Sequence, residues 1–474
     1  MPKSRADRTM RLVNRLGLGM KAKGSAPRWL DDPSAGYVVE PPALARLPRR
    51  ADAAAALGEF QQSRRAQRMA KRAEGSDDPA LKQDYRAARQ DIVAMYRQQV
   101  AARYAAAVAA DNDFAERLVH FWSNHFAVSA DNVLMTVFAG LQEQEAIRPH
   151  IFGRFADMLM AVEHHPAMLV YLNQSTSIGP NSPAAKRRAG AGGKPRGLNE
   201  NLGREILELH TLGVQGGYSQ RDVTEFARAL TGFTIAGANA GANAGANPRQ
   251  RATPGDFRFA PAQHEPGPRM ILGKNYAQDG EGQANAILAD LAVHPATARH
   301  LSFKLARHFV ADDPPPALVE RLTKRFLAGQ GDLTPWYAEL IAAPELTAAG
   351  AGKYKAPWEW LVSAGRATGL AHFPRPAMLV NLMNELGHPV WKPKSPAGFD
   401  DIAASWLASD ALMRRVEATP RLVALVPDLP DARALAPLVL GDALRPQTAE
   451  ALARAEDNGQ AMALLLVSPE FLRR

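Results

Sequence analysis

From Leu81 onward apolar residues recur at every fourth position, Ile92, Tyr96, Val100, Tyr104 and Val108, while Arg86, Arg89, Arg97 and Arg103 fall off that stripe. A stripe of this spacing lies on one face of a 3.6-residue repeat, so the segment is predicted to be one long amphipathic helix. The pattern breaks at Asp111 and Asn112, where Asp113, with Glu116 three residues later, reads as the capping box of a new helix carrying His120 and His125. Further helices are predicted over 133–145, 151–163, 199–213, 219–232, 283–291, 296–309, 317–328, 335–342, 358–368 and 376–386, the later ones punctuated by proline.

Strand character is confined to one place. Phe257-Arg258-Phe259 and Met270-Ile271-Leu272 flank a stretch rich in Pro and Gly and predict a β-hairpin. The fold class that follows is all-α, a multi-helix bundle with one small β-hairpin near residues 257–272. Two stretches interrupt the helices: 179–197, with Lys186, Arg187, Arg188 and several Gly and Pro, reads as a basic loop, and 236–256, with Gly-Ala-Asn three times, as a surface insertion.

Charge divides the chain further. Residues 1–110 hold 21 Lys and Arg against 11 Asp and Glu, leaving 36 against 37 for the remainder, so the net charge of +9 arises in the N-terminal quarter. The expected organisation is a basic N-terminal helical region, 1–110, followed by a main helical domain, 111–474. Such an arm could meet phosphate-bearing partners. No stacking aromatics interleave with its basic residues and no nucleic-acid motif accompanies them, so a solvated helix face is the favoured reading and a nucleic-acid partner is not. Without cysteine, disulfides, thiolate metal sites and cysteine nucleophiles are excluded. No run approaches the roughly 18 apolar residues of a membrane-spanning helix. The first twenty residues also lack the apolar core of a signal peptide, so a cytoplasmic location is expected.

Candidate chemistry concentrates on 199–232. Asn199 is a good N-cap and Gly213 a good stop, and Leu202, Ile206, Leu209 and Leu212 form an inward stripe. At about 100° per residue, Glu205 falls inside that arc and is expected to be buried, with Glu208 at its edge. A buried carboxylate must find a cation, a metal or hydrogen-bond donors, or remain protonated, which makes Glu205 and Glu208 catalytic and metal-ligand candidates, an ion pair with a buried arginine being the structural alternative. On the next helix Ser219 and Asp222 read as a capping box, and Glu225 with Arg228 as an exposed pair.

Histidines supply the other candidates. His120 and His125, about 140° apart on a regular helix, chelate together only if the helix ends near Asn124. His210 sits at a helix C-terminus, where the dipole favours a charged imidazole, and His264 lies beside Glu265 in the hairpin loop. Metal candidates are therefore His120, His125, Glu205, Glu208, His210 and His264, and catalytic candidates Glu205, Glu208 and His264, with a divalent metal ion as the cofactor such a set would take. No Walker loop, dinucleotide-binding glycine turn, Gly-x-Ser-x-Gly elbow or His-Glu-x-x-His segment occurs.

Several segments together carry a resemblance: RLVHFWSNHFAVS at 117–129, NENLGREILELHTLGV at 199–214, YSQRDVTEFARALTGFT at 218–234, FRFAPAQHEPGPRMILG at 257–273, HPATARHLSFKLARHFV at 294–310 and KYKAPWEWLVSAGRATG at 353–369. The chain from about Asp113 onward, with NRLGLG at 14–19, is similar to the bacterial family catalogued as domain of unknown function 1800, from which Lys394 and Phe399 depart. The resemblance brings no reaction. It implies a possible partner, an exported sulfatase-like family encoded beside many members, and with it an envelope association. Two functions follow as expectations: a metal-binding protein or enzyme with a carboxylate/histidine site in a helical bundle, or a non-catalytic helical scaffold that binds such a partner.

Overall fold

The four-residue stripe builds a helix over Pro79–Ala109, opened by the Asp78 side chain, which accepts a hydrogen bond from Ala80 N. Its tyrosines are anchored at their polar ends: Tyr96 donates to Val390 O at 2.8 Å and Tyr104 to Leu370 O at 2.8 Å. Arg103 departs from the expected solvent face. It is buried, pairs with Glu143 at 2.8 Å and lies over the rings of Trp358 and Trp391. The computed structural model describes residues 5–21, 27–74, 78–190, 197–236, 255–348 and 352–474.

The next helix, Asp113–His125, is capped by Asn112, whose side chain accepts from Ala115 N at 2.8 Å. Asp113, the expected cap, is buried and spent elsewhere, accepting from Leu18 N and Trp29 Nε1 and pairing with Arg366 at 3.3 Å. Later helices fall where apolar periodicity placed them, among them Phe155–Glu163, Pro295–Phe309, Pro316–Ala328, Leu333–Ala342, Pro357–Thr368 and Pro376–Glu385. Four of these begin on proline, whose fixed φ suits the first helical turn and whose missing N–H costs nothing there.

All of these helices pack on one continuous hydrophobic cluster that runs from Leu12 to Leu472 and encloses Trp29, Trp122, Trp336 and Trp360. The fold is mainly α-helical. Among the described residues no helix is long and apolar enough to cross a membrane.

The strands exist where expected, but with other partners. Phe257–Phe259 pairs antiparallel with Phe233–Ile235, and Arg269–Ile271 turns back on Lys274–Tyr276, so among the described residues two two-stranded sheets replace one hairpin. The second is closed by Leu272 and Gly273, both at positive φ, a tight turn that the sequence reading passed over because Leu rarely adopts it. Within the expected basic loop at 179–197, Pro183–Gly190 is helical, and residues 191–196 lie outside the described residues. So does 237–254, which holds the Gly-Ala-Asn repeat.

Candidate functional site

Five α-helical residues, Asn201–Glu205, lead into a π-helical turn, Ile206–His210. A π turn spends more residues per revolution, so the inward positions drift: Leu202 and Ile206 are buried as expected, but Leu207 and His210 take the place assigned to Leu209. The same drift leaves Glu205 half-buried. Burial still raises its pKa, with His210 opposing and Glu208 adding to the rise. Glu205 lies near Tyr171, and Glu208 near Tyr218.

Two imidazoles hold the end of that turn. His125 Nε2 donates to His210 O at 3.2 Å and His300 Nε2 donates to Leu209 O at 3.1 Å, satisfying carbonyls that a widened helix terminus leaves without partners. His210 Nδ1 in turn donates to the fully buried Glu163 at 2.8 Å. Burial holds His125 far below the ordinary histidine value and His300 down at about 4, so both donate as neutral rings. One lone pair, His125 Nδ1, and one carboxylate oxygen, Glu163 Oε2, are buried there without a hydrogen-bond partner among the described residues.

His264 stands apart. Its Nδ1 donates to Thr231 O at 2.9 Å, its ring lies against Phe259, and burial lowers its pKa. The neighbouring Glu265 is buried and accepts from Asn181 N and Nδ2 at 2.7 and 2.6 Å, which clamps 179–181 to this loop. Gly179 permits that approach, since a Cβ there would sit 2.7 Å from Glu265 Cα. Asp222 completes the expected capping box with Ser219, and also accepts from Leu272 N at 2.8 Å. Glu225 is less exposed than expected, because it pairs with Arg269 as well as Arg228.

His120 points to the other side of its helix and lines a cavity of about 90 Å³. Ser123 and Asn124, one turn on, share that face, and Trp358, Trp391 and Phe399 supply aromatic walls. The loop that brings Trp391 and Phe399 is fastened to the helix end: Asn124 donates to Phe399 O at 2.9 Å and accepts from Phe399 N at 2.7 Å. Trp358 Nε1 donates to His120 Nδ1 at 3.3 Å. An indole N–H can only donate, so Nδ1 must carry the lone pair and the neutral ring's proton resides on Nε2. That Nε2 is buried and has no hydrogen-bond partner among the described residues. Burial, then Arg103, Arg148, His308 and Arg117, drive the pKa of His120 well below its ordinary value, so the ring is neutral near pH 7.

One wall of the cavity is ionic. His308, Glu359 and Asp401 line it, with His308 Nδ1 2.5 Å from Asp401 Oδ2 and His308 Nε2 accepting from Arg117 Nε at 3.2 Å. Glu359 Oε1 lies 3.3 Å from Arg117, 3.1 Å from Arg474 and 3.9 Å from His308 Nε2. Lys353 bridges Asp312 and Asp401. Burial alone would raise Asp401, but His308, Lys353 and Arg117 outweigh it and hold this carboxyl below the usual range. Arg117, Lys353 and Arg474 are matched in number by Asp312, Glu359 and Asp401.

The structure thus parts the candidates into three places: Glu205, Glu208, His125 and His210 around the π turn, His264 at the loop clamp, and His120 in the cavity. Among the described residues no group of three or more His, Asp or Glu side chains is placed to hold a metal ion. The partners that His120 does meet, His308, Glu359, His388 and Asp401, were not singled out in the sequence. They lie in LARHFV, KAPWEW, GHPVW and GFDD, and a signal was there: ionisable residues beside Trp or Phe inside otherwise apolar segments.

Compared with known proteins, the chain matches a family model over residues 11–473, described as a protein of unknown function, DUF1800. No curated protein and no solved structure matches it.

Proposed function

The chain belongs to the DUF1800 family, and from its geometry we propose that it is an enzyme that acts by proton transfer on a small oxygen-bearing ligand held in the His120 cavity. One observation carries this reading: a neutral histidine, its tautomer set by Trp358, buries an unused N–H on the wall of an aromatic-lined cavity. An unpaired buried donor costs about 1–3 kcal/mol, a loss that an acceptor arriving with a ligand would recover. A carbonyl or an anionic oxygen would accept from Nε2, and negative charge developing on it would meet a fixed donor in a site of low dielectric.

His308 is the proton-accepting group of the proposal. Asp401 orients it through Nδ1, and Nε2, the atom that would take the proton, lies 3.2 Å from Arg117 Nε and 3.9 Å from Glu359 Oε1. Trp358, Trp391 and Phe399 would pack on the ligand's apolar body.

A screen of small carbonyl compounds and oxyanions by thermal shift tests this. Hits are expected to stabilise the wild-type protein and to lose their effect in His120→Phe, whereas hits that stabilise both alike would overturn the assignment. The metal reading places a divalent ion at the π-turn residues, and His125 Nδ1 with Glu163 Oε2 are the unpartnered atoms that could support it. The scaffold reading, with a sulfatase-like partner, rests on family resemblance. A partner captured equally well by wild type and His120→Phe would favour it.

A further inference from the structure

Residues 352–355 run beside the end of the chain. Lys355 N donates to Leu472 O at 2.9 Å, Arg474 N donates to Lys353 O at 2.9 Å, and Tyr354 bridges to Arg473. This pairing seats the Lys355 side chain on the ring of Phe471, with Nζ 4.3 Å from the ring centroid. Lys355 is 7% exposed and lines a cavity of about 460 Å³ that is separate from the one His120 faces. Among the described residues no carboxylate lies within ion-pairing distance of it. The two carboxylates of this cavity are engaged: Asp442 by Arg11, and Glu470 by Thr448 and Arg445. Arg11, Arg15, Arg445, Arg473 and Arg474 line the same cavity, so cations outnumber those two acids.

We propose that Lys355 is the amine nucleophile of a second site, which takes a small anionic carbonyl compound and joins it as a Schiff base. The arginines attract the anionic group, and the amine meets the carbonyl carbon against the Phe471 ring. The amine nitrogen adds to that carbon, the carbon–oxygen bond breaks, and the oxygen leaves as water with both amine hydrogens while the C=N bond forms. No oxidant or reductant is required. Burial of an amine without a carboxylate is the arrangement that frees its lone pair. Here burial lowers Lys355 to about 7, against the pull of Glu359 and with help from Arg117 and Arg415. An ordinary lysine at pH 7 has only about one amine in 10³ unprotonated.

The test incubates the full chain with limiting pyridoxal 5′-phosphate at pH 7, reduces with borohydride and maps the adduct by mass spectrometry. A single adduct at Lys355 is expected, with the exposed Lys274 and Lys324 unmodified. Pyridoxal without its phosphate is expected to react about ten-fold more slowly, the lower end of what a charged cleft contributes to encounter. Lys355→Met should lose the adduct while still unfolding in a single cooperative transition. Because the wild-type protein itself is mapped, the outcome does not depend on the variant folding. Modification spread over exposed lysines with Lys355 unmodified would overturn the proposal, and equal reaction with pyridoxal would overturn its anionic class.

Discussion

An indole N–H beside an imidazole leaves the imidazole no choice of tautomer, and this one contact turns His120 from a candidate ligand into a hydrogen-bond donor. Replacing it with phenylalanine keeps an aromatic ring, removes the unsatisfied Nε2–H and leaves Trp358 Nε1–H without its acceptor, two changes of opposite sign and similar size. His120→Phe is therefore expected to change stability by no more than about 1 kcal/mol in urea unfolding while abolishing ligand binding. Lys355 carries a pH prediction of definite sign. Its folded value, about 7, lies below the ordinary lysine value of 10.5, so between these the unfolded chain binds more protons and stability rises with pH. Lys355→Met is expected to flatten that rise in urea midpoints measured across the same window.

At this scale the sequence was legible for caps and stripes and poorly legible for charge. Asp222 and Ser219 could be paired because their partners are local, whereas His308, Glu359 and Asp401 meet only after segments far apart in the chain have folded. Glu205 was placed on a regular helix, and its burial was overestimated because nothing in ILELH announces a π turn.

Elements position the site through a few close approaches. The loop from His388 to Asp401 reaches the end of the Asp113–His125 helix at Gly398, whose φ is 85° and where a Cβ would come within 2.4 Å of Asn124 O. Only glycine fits that approach without strain. Gly398→Ala is expected to displace the loop, lower stability by about 1–3 kcal/mol, and raise hydrogen exchange across 388–401. The π turn makes a second element-scale prediction. His300→Ala would strip Leu209 O of its donor and is expected to cost about 1–3 kcal/mol in urea unfolding, unless water replaces the imidazole. Helix positions were readable because apolar periodicity is a local signal. Strand pairing is not: Phe233–Ile235, just past the predicted 219–232 helix, carries no strand signal of its own, so Phe257–Phe259 is matched to Met270-Ile271-Leu272 instead.

In the whole molecule, the basic excess of the N-terminal quarter is partly absorbed by carboxylates from the rest of the chain. Arg11 pairs with Asp442, Arg50 with Glu145 and Asp256, and Arg103 with Glu143. A composition count could register the imbalance but not these contacts. The parting of the histidines also sets an expectation for metal content. Since the imidazoles around the π turn are used as donors to carbonyls and to Glu163, purified protein is expected to hold less than one divalent ion per chain by plasma mass spectrometry. A full equivalent that disappears in His210→Ala would instead place a metal at that turn.

The site is built on His120 as a neutral donor facing a cavity. Long-range ¹H–¹⁵N NMR of histidine-labelled protein, assigned by comparison with His120→Phe, reports tautomer and titration directly. The His120 signal is expected to keep its proton on Nε2, without titrating, from about pH 8 to well below 6.5, the range set by its lowered pKa. A proton on Nδ1, or a titration centred near 6.5, would contradict it.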